Sequence, residues 1–379
     1  MKLLVSSAFC SMVLSSLEGM VSGFSTTLTV PFVKTSTQLH MATWSDSKAV
    51  RDYQNFLESG QQEIQRKADA PSVIICPRDG VNELTEILYS MGMGDDLVMT
   101  PDQMLPPAMG GNPEYPIYIT LPPWEIELFI KNLSDNFKER NEDFVFFAGG
   151  PAYGNIEDVL KDYGYCRDSM TQVLITGLEV TQMRTVRDIS TRLGTDSMGE
   201  EKWAGECAAC GKWNGAVGER FQRKDIRCSV DFYRDWRRKM WERNILDAAI
   251  NLVGAVREER TTQSDVANYY EEEVSDMVWE ISQSLRGWKA MTLMFGFEER
   301  LFGVAENTGS EKPCYLDDSM FPYIWGNRVF TDTPMFLDYL WYAKEQRGLL
   351  QTVELPPKKE GNAGSSIMRQ GNLRADGKI

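Results

Sequence analysis

Between residues 71 and 181 short apolar runs bounded by proline or glycine alternate with segments whose apolar residues return every three or four positions. This rhythm constrains the fold more than any other feature. "PSVIICP" (71–77) reads as a buried strand and "GVNELTEILYSMG" (80–92) as a helix with Val81, Leu84, Ile87 and Leu88 on one face. "DLVMT" is a second strand, and "MLPPAMGGNPEY" is a loop. The cycle repeats through "PIYITLP", "WEIELFIKNLSDNF", "DFVFFAGG", "NIEDVLKDYG" and "QVLITGLEVT". Strands that alternate with helices are joined by crossovers, so the expected class is α/β, a Rossmann-like doubly wound parallel sheet with helices on both faces.

After a polar interruption, "AGECAACGKW", "GAVGERFQRK" and "IRCSVDF" add a strand, a helix and a strand. From Tyr233 the period becomes helical, with "SDVANYYEEEVSDMVWEISQSLRGW" expected as one helix and Pro334 opening the helix of "TPMFLDYLWYAKEQRG". The expected organisation is a linker at 43–71, a Rossmann-like domain at 72–232, an all-helical domain at 233–350 and a disordered tail at 351–379, where apolar residues are too few to fold.

The first 23 residues carry Lys2, an apolar run of secretory length broken by serines, and the small residues Val21, Ser22 and Gly23, as a signal peptide does. Residues 24–42 are rich in Ser and Thr, contain Lys34 and lack acids, which is transit-peptide chemistry. Together they resemble the bipartite leaders of algae with red-derived secondary plastids, so the expected location is the plastid; a signal peptide alone would mean secretion. No later run has the roughly 18 apolar residues of a membrane span.

The formal net charge is −15, and the one basic run, "YRDWRRKMWER" at 233–243, is short, so a nucleic-acid partner is not expected. The sole histidine, His40, falls in the leader. Without it Ser-His-Asp and Cys-His catalysis lose their base, and proton transfer is left to Lys, Tyr, Asp, Glu, Cys or water. "CAAC" at 207–210 is a lone CxxC with two readings: a redox pair, or small residues at a strand end.

The helix around "WERNILDAAINLVGA" (241–255) is apolar on most sides, yet Arg243, Asp247 and Asn251 recur at every fourth position. Arg243 and Asp247, spaced i to i+4, would pair with each other; the rival reading is an active-site stripe. This segment, as "RRKMWERNILDAAINLVGA", joins "DFVFFAGG", "CGKWNGAVGERF" (210–221) and "DDSMFPYIWGNR" (317–328) in an order that resembles the ketopantoate reductase family, in particular its plant and algal relatives, over about residues 72–345.

The resemblance implies a helical domain of the 6-phosphogluconate dehydrogenase C-terminal type. It also implies a nicotinamide coenzyme, NAD or NADP, on the first domain and a small 2-oxo acid in the cleft. It places Arg78, Gly80, Asp102, Gly149 and Gly150 at the coenzyme, and Arg243, Asp247, Asn251 and Ser319 at the substrate. The family's G-x-G-x-x-G turn would rest a diphosphate on a helix N-terminus, but here it reads "CPRDGVNEL", where only Gly80 survives. Asp102 stands where an acid would meet a ribose 2′-hydroxyl, and no arginine neighbours it in sequence for a 2′-phosphate. Gly149 replaces an asparagine and leaves room for something to approach, Arg243 replaces the proton-donating lysine, and Asp247 replaces a second asparagine. Arginine holds its proton too tightly to donate it. The family's substrate-binding glutamate falls near Thr331 or Asp332. Two functions follow: a divergent or impaired nicotinamide-dependent 2-oxo acid reductase, or a non-catalytic pseudo-reductase that binds another ligand, a protein partner or a second copy of itself.

Overall fold

The structure is a computed structural model, and it describes residues 66–149, 155–165, 170–175, 193–195, 201–203, 207–224, 226–257, 260–308, 313–316, 318 and 333–357. Chain order runs β1 (Val73–Ile75), α1 (Glu83–Met91), β2 (Leu97–Met99), β3 (Ile117–Ile119), α2 (Pro123–Lys131), α3 (Asp135–Lys138), β4 (Phe144–Ala148), α4 (Glu157–Asp162) and β5 (Thr171–Leu174). A separate two-stranded ribbon, β6 (Leu193–Thr195) with β7 (Glu201–Trp203), follows. Then come β8 (Cys207–Cys210), α5 (Asn214–Gln222) and β9 (Cys228–Val230). The helical part is α6 (Tyr233–Ala255), α7 (Gln263–Tyr269), α8 (Glu271–Lys289), α9 (Phe297–Thr308) and α10 (Pro334–Arg347).

Seven strands form one sheet in the order β2-β1-β3-β4-β5-β8-β9. All neighbours are parallel except β5 and β8. The expected doubly wound sheet is present. Its order differs from the 3-2-1-4-5-6 of dinucleotide folds by having one strand fewer beyond β1, so the chain reverses its winding between β1 and β3. Ligands of open α/β sheets bind outside the C-terminal ends of the strands at such a reversal.

Both faces of the sheet are buried, which is why its central strands are apolar without alternation. One face packs on α1 and α5 through Ile74, Tyr118, Val145, Phe147, Val173 and Ala209. The other packs on α2 and α4 through Val73, Ile75, Ile117, Ile119, Phe144 and Phe146. Helix α1 forms because Asn82 caps it and because Leu84, Ile87, Leu88 and Met91 share its buried face. Burial of such side chains contributes roughly 1.5–3 kcal/mol each, against about 1 kcal/mol for the cap, so packing decides the helix and the cap decides where it starts.

Ala148, Leu174, Ala208 and Cys210 on the sheet share a core with α6 and the helices beyond it. Trp236 anchors that contact by donating its indole N–H to the Ala208 carbonyl at 3.1 Å. The segment expected as one helix at 264–288 is two, α7 and α8, broken at Tyr270, whose φ and ψ of −130° and 26° leave the helical range. The end of the expected linker and the start of the expected tail are docked. Asp69 is buried in an ion pair with Arg220, and Trp341 donates to the Pro356 carbonyl at 3.0 Å. Residues 1–65 and 358–379 lie outside the described residues. Among the described residues no helix is long and apolar enough to cross a membrane.

Candidate functional site

The crevice at the β1/β3 reversal is flanked by the turn after β1 and the loop after β3. In dinucleotide enzymes the backbone N–H groups at the helix start here are left open for a diphosphate. Here one of them, that of Thr85, is taken by a side chain. The Asn82 carboxamide oxygen accepts from the Thr85 backbone N–H at 3.0 Å and from the Thr85 hydroxyl at 2.7 Å. The Asn82 amide donates across the crevice to the Thr120 carbonyl at 2.7 Å. The Thr85 and Thr120 hydroxyls lie 2.6 Å apart, and Thr120 also donates to the Ile75 carbonyl at 2.8 Å. The network ties α1 to the ends of both β1 and β3.

The charge at the mouth is equally adverse to phosphate. Asp79 lies in the β1–α1 turn and Glu125 in the first turn of α2. Burial raises the Glu125 carboxyl above the usual range, and Asp79 raises it further while Arg78 opposes. The cation of the turn is already engaged. Arg78 grips Asp102 with two hydrogen bonds, Nε to Oδ2 at 3.0 Å and Nη2 to Oδ1 at 2.7 Å, and these hold the Asp102 carboxyl below its ordinary value. An arginine distant in sequence thus stands beside Asp102 in space. β1 and β2 are parallel and in register, Ile75 opposite Met99, so the loops after them are neighbours although 24 residues separate the two side chains.

Gly80 has a φ of +137°, and nothing lies within 4 Å of where a Cβ would stand, so the space above the turn is open. Gly149, at the tip of β4, has a φ of +105°. The room expected there is taken by protein, because a Cβ would meet Leu174 Cδ1 at 2.6 Å and the Ile175 carbonyl at 2.7 Å. Gly150 and Ser319 lie outside the described residues, as do Thr331 and Asp332.

On α6, Arg243 is half-buried, and helical spacing puts it on the stripe of Trp236 and Met240 that meets the sheet. Asp247 is in the helix, and its side chain lies outside the described residues, so the Arg243–Asp247 pairing falls there too. Asn251 is 2% exposed and accepts from the Gln263 amide at 3.0 Å, a link between α6 and α7.

A charged cluster that the sequence reading missed joins the sheet to the helices. Glu157, 2% exposed at the start of α4, receives Arg237 at 2.8 and 2.6 Å and the Trp241 indole at 3.2 Å. Lys289 approaches Glu157 at 3.7 Å, pairs with Asp158 at 2.6 Å and lies 3.9 Å from the Trp288 ring centre. The spacing of Arg237 and Trp241 by one helical turn was the available signal. What the sequence lacks is any mark of their partner 80 residues away.

The CxxC reading as a redox pair is overturned. "CAAC" is the whole of β8, and residues three apart on a strand face opposite ways. Cys207 lies in the core under α1 and α5, Cys210 in the core under α6, and the sheet separates their sulfurs. Among the described residues no three His, Cys, Asp or Glu side chains could hold a metal ion.

By sequence the chain matches no protein-family model and no curated protein. Among solved structures it is similar to 2-dehydropantoate 2-reductase from Methylococcus capsulatus, at 12% identity and a TM-score of 0.44, over 75% of this chain and 98% of that one. It is also similar to D-mandelate dehydrogenase in complex with NADH, at 10% identity and a TM-score of 0.38, over 75% and 94% of the two chains.

Proposed function

We propose that this chain is a plastid-targeted, ketopantoate-reductase-like protein, a divergent or catalytically impaired relative of the NAD(P)-dependent 2-oxo acid reductases. One observation carries the reading: at the helix start that would cradle a coenzyme diphosphate, Asn82 takes the Thr85 N–H and ties the turn to Thr120. The residues present do not fit the group. Asp79 and Glu125 add negative charge at the mouth, and Arg78 is committed to Asp102. At the α6 position where the reductases resembled carry a proton-donating lysine, Arg243 would orient a carboxylate and would not release a proton.

The tied turn also favours the second reading, a pseudo-reductase that keeps the cleft for another ligand or a protein partner, including a second copy of this chain. Titration of the unmodified protein with NADH and with NADPH, followed through tryptophan fluorescence, separates impaired from competent. The expected result is no saturable binding at micromolar concentrations. Saturable binding with turnover of a 2-oxo acid would remove the proposal. Targeting is tested separately, by joining residues 1–42 to a fluorescent protein; a secreted signal would refute the plastid assignment.

A further inference from the structure

We infer that the groove between α5 and the outer edge of β9 binds an extended, acidic peptide segment of a partner protein, which adds to the sheet as a further strand. The site is separate from the β1/β3 crevice, because β4, β5 and β8 stand between β3 and β9. The two therefore succeed or fail independently.

The first observation is the direction of the backbone. β9 is the last strand of the sheet and pairs with β8 alone among the described strands. In that ladder the Arg227 carbonyl accepts from the Cys207 N–H at 3.2 Å, and the Asp231 N–H donates to the Ala209 carbonyl at 2.9 Å. Successive residues of a strand direct their bonds to opposite sides, so Val230, one position before Asp231, turns its N–H and carbonyl away from β8. The second observation is a cavity of about 710 Å³ against that edge, a size within the range of ligand sites, with walls from β9, α5 and the chain at Arg66. Gly218 of α5 keeps it open. A Cβ there would meet nothing nearer than Val230 Cγ2 at 3.4 Å. A groove between a helix and a sheet edge is where domains take up a peptide strand, main-chain bonds giving affinity and alternate side chains specificity.

Charge selects the segment. Among the described lining residues Arg66 and Arg227 outnumber the one acid, Glu219, whose Oε2 already accepts the Asp69 backbone N–H at 2.9 Å. In a chain of formal net charge −15 a basic groove is a local exception, and it favours an acidic partner over a second copy carrying the same basic groove. The Val230 side chain, beside Gly218, offers apolar contact to every second residue of the bound strand.

The test is fluorescence anisotropy of a labelled peptide of alternating valine and glutamate, titrated with the full chain. Two further probes replace glutamate by lysine or methylate the backbone nitrogens. The glutamate peptide is expected to bind saturably and to weaken as salt is added, and both other probes are expected to bind less well. Gly218→Leu fills the groove with a residue that favours the helix more than glycine does, and is expected to abolish binding without lowering the Tm. Val230→Pro removes one outward N–H at a position where an edge strand tolerates proline, and is expected to weaken binding roughly two- to tenfold, the range of one hydrogen bond. Silence from the glutamate peptide, equal binding of the lysine or the methylated peptide, or affinity unchanged in Gly218→Leu would each overturn the inference. So would a chain that dimerises unaided and loses the dimer in Val230→Pro, because the edge would then belong to a second copy.

Discussion

At the scale of single residues, the structure spends its charges on itself. Asp143, 4% exposed, accepts from Lys212 at 2.7 Å, Arg140 at 2.7 Å and the Trp213 indole at 3.0 Å. Burial alone would push its carboxyl up, but these three donors hold it below the ordinary range. Because the folded value lies below the unfolded one, near 4, the stabilisation is fully present above that pH and is lost as pH falls through the folded value. Urea midpoints measured from pH 6 down to pH 2 are therefore expected to fall, and Asp143→Asn is expected to flatten that slope and to cost about 3 kcal/mol at neutral pH. The Arg78–Asp102 pair is of the same kind, but exposed. It contributes little to stability and matters for what it withholds from a ligand.

At the scale of elements, most strands and helices were legible because burial imposes a period, and a period is visible in the letters. "PSVIICP" and "DFVFFAGG" became β1 and β4, and Leu84, Ile87 and Leu88 became the buried face of α1. Neighbour relations were not legible, because periodicity reports how deeply a residue is buried and not against what. The antiparallel step from β5 to β8, the meeting of Arg78 with Asp102 and the bond from Asn82 to Thr120 all depend on strand order. Asn82 itself carried a readable signal, an N-cap residue just before a periodic run, whose second bond no local pattern announces. Long-range pairing also explains the charges inside the helical layer. Glu242 on α6 and Arg300 on α9 form a two-pronged pair at 3.1 and 2.7 Å, 6% and 4% exposed. Burial raises the Glu242 carboxyl while Arg300 opposes it, so removing the arginine leaves a buried acid uncompensated. Arg300→Met is expected to cost about 3–5 kcal/mol, and Glu242→Met together with Arg300→Met to recover most of it. Chemical denaturation of the three variants measures this; a double variant no more stable than Arg300→Met would contradict it.

At the scale of the whole molecule, the sheet and the helices are one cooperative body. The core of α6 continues into Ala148, Leu174, Ala208 and Cys210, and the Glu157 cluster clasps α4 to α6 and α8. Replacing Glu157 with Gln leaves Arg237 and Lys289 without their shared carboxylate. Differential scanning calorimetry is expected to show a lower Tm with a single transition retained, whereas two separated transitions in the unmodified protein would refute the shared core. On this body the doubly wound sheet brings the turn after β1 beside the end of β3, and the Asn82–Thr120 bond joins the two. The most direct test is a crystal structure determined after soaking with NADH. The account predicts an intact Asn82–Thr120 bond, Arg78 still on Asp102 and no coenzyme over the turn. An ordered diphosphate lying across residues 76–80, with Arg78 parted from Asp102, would contradict it.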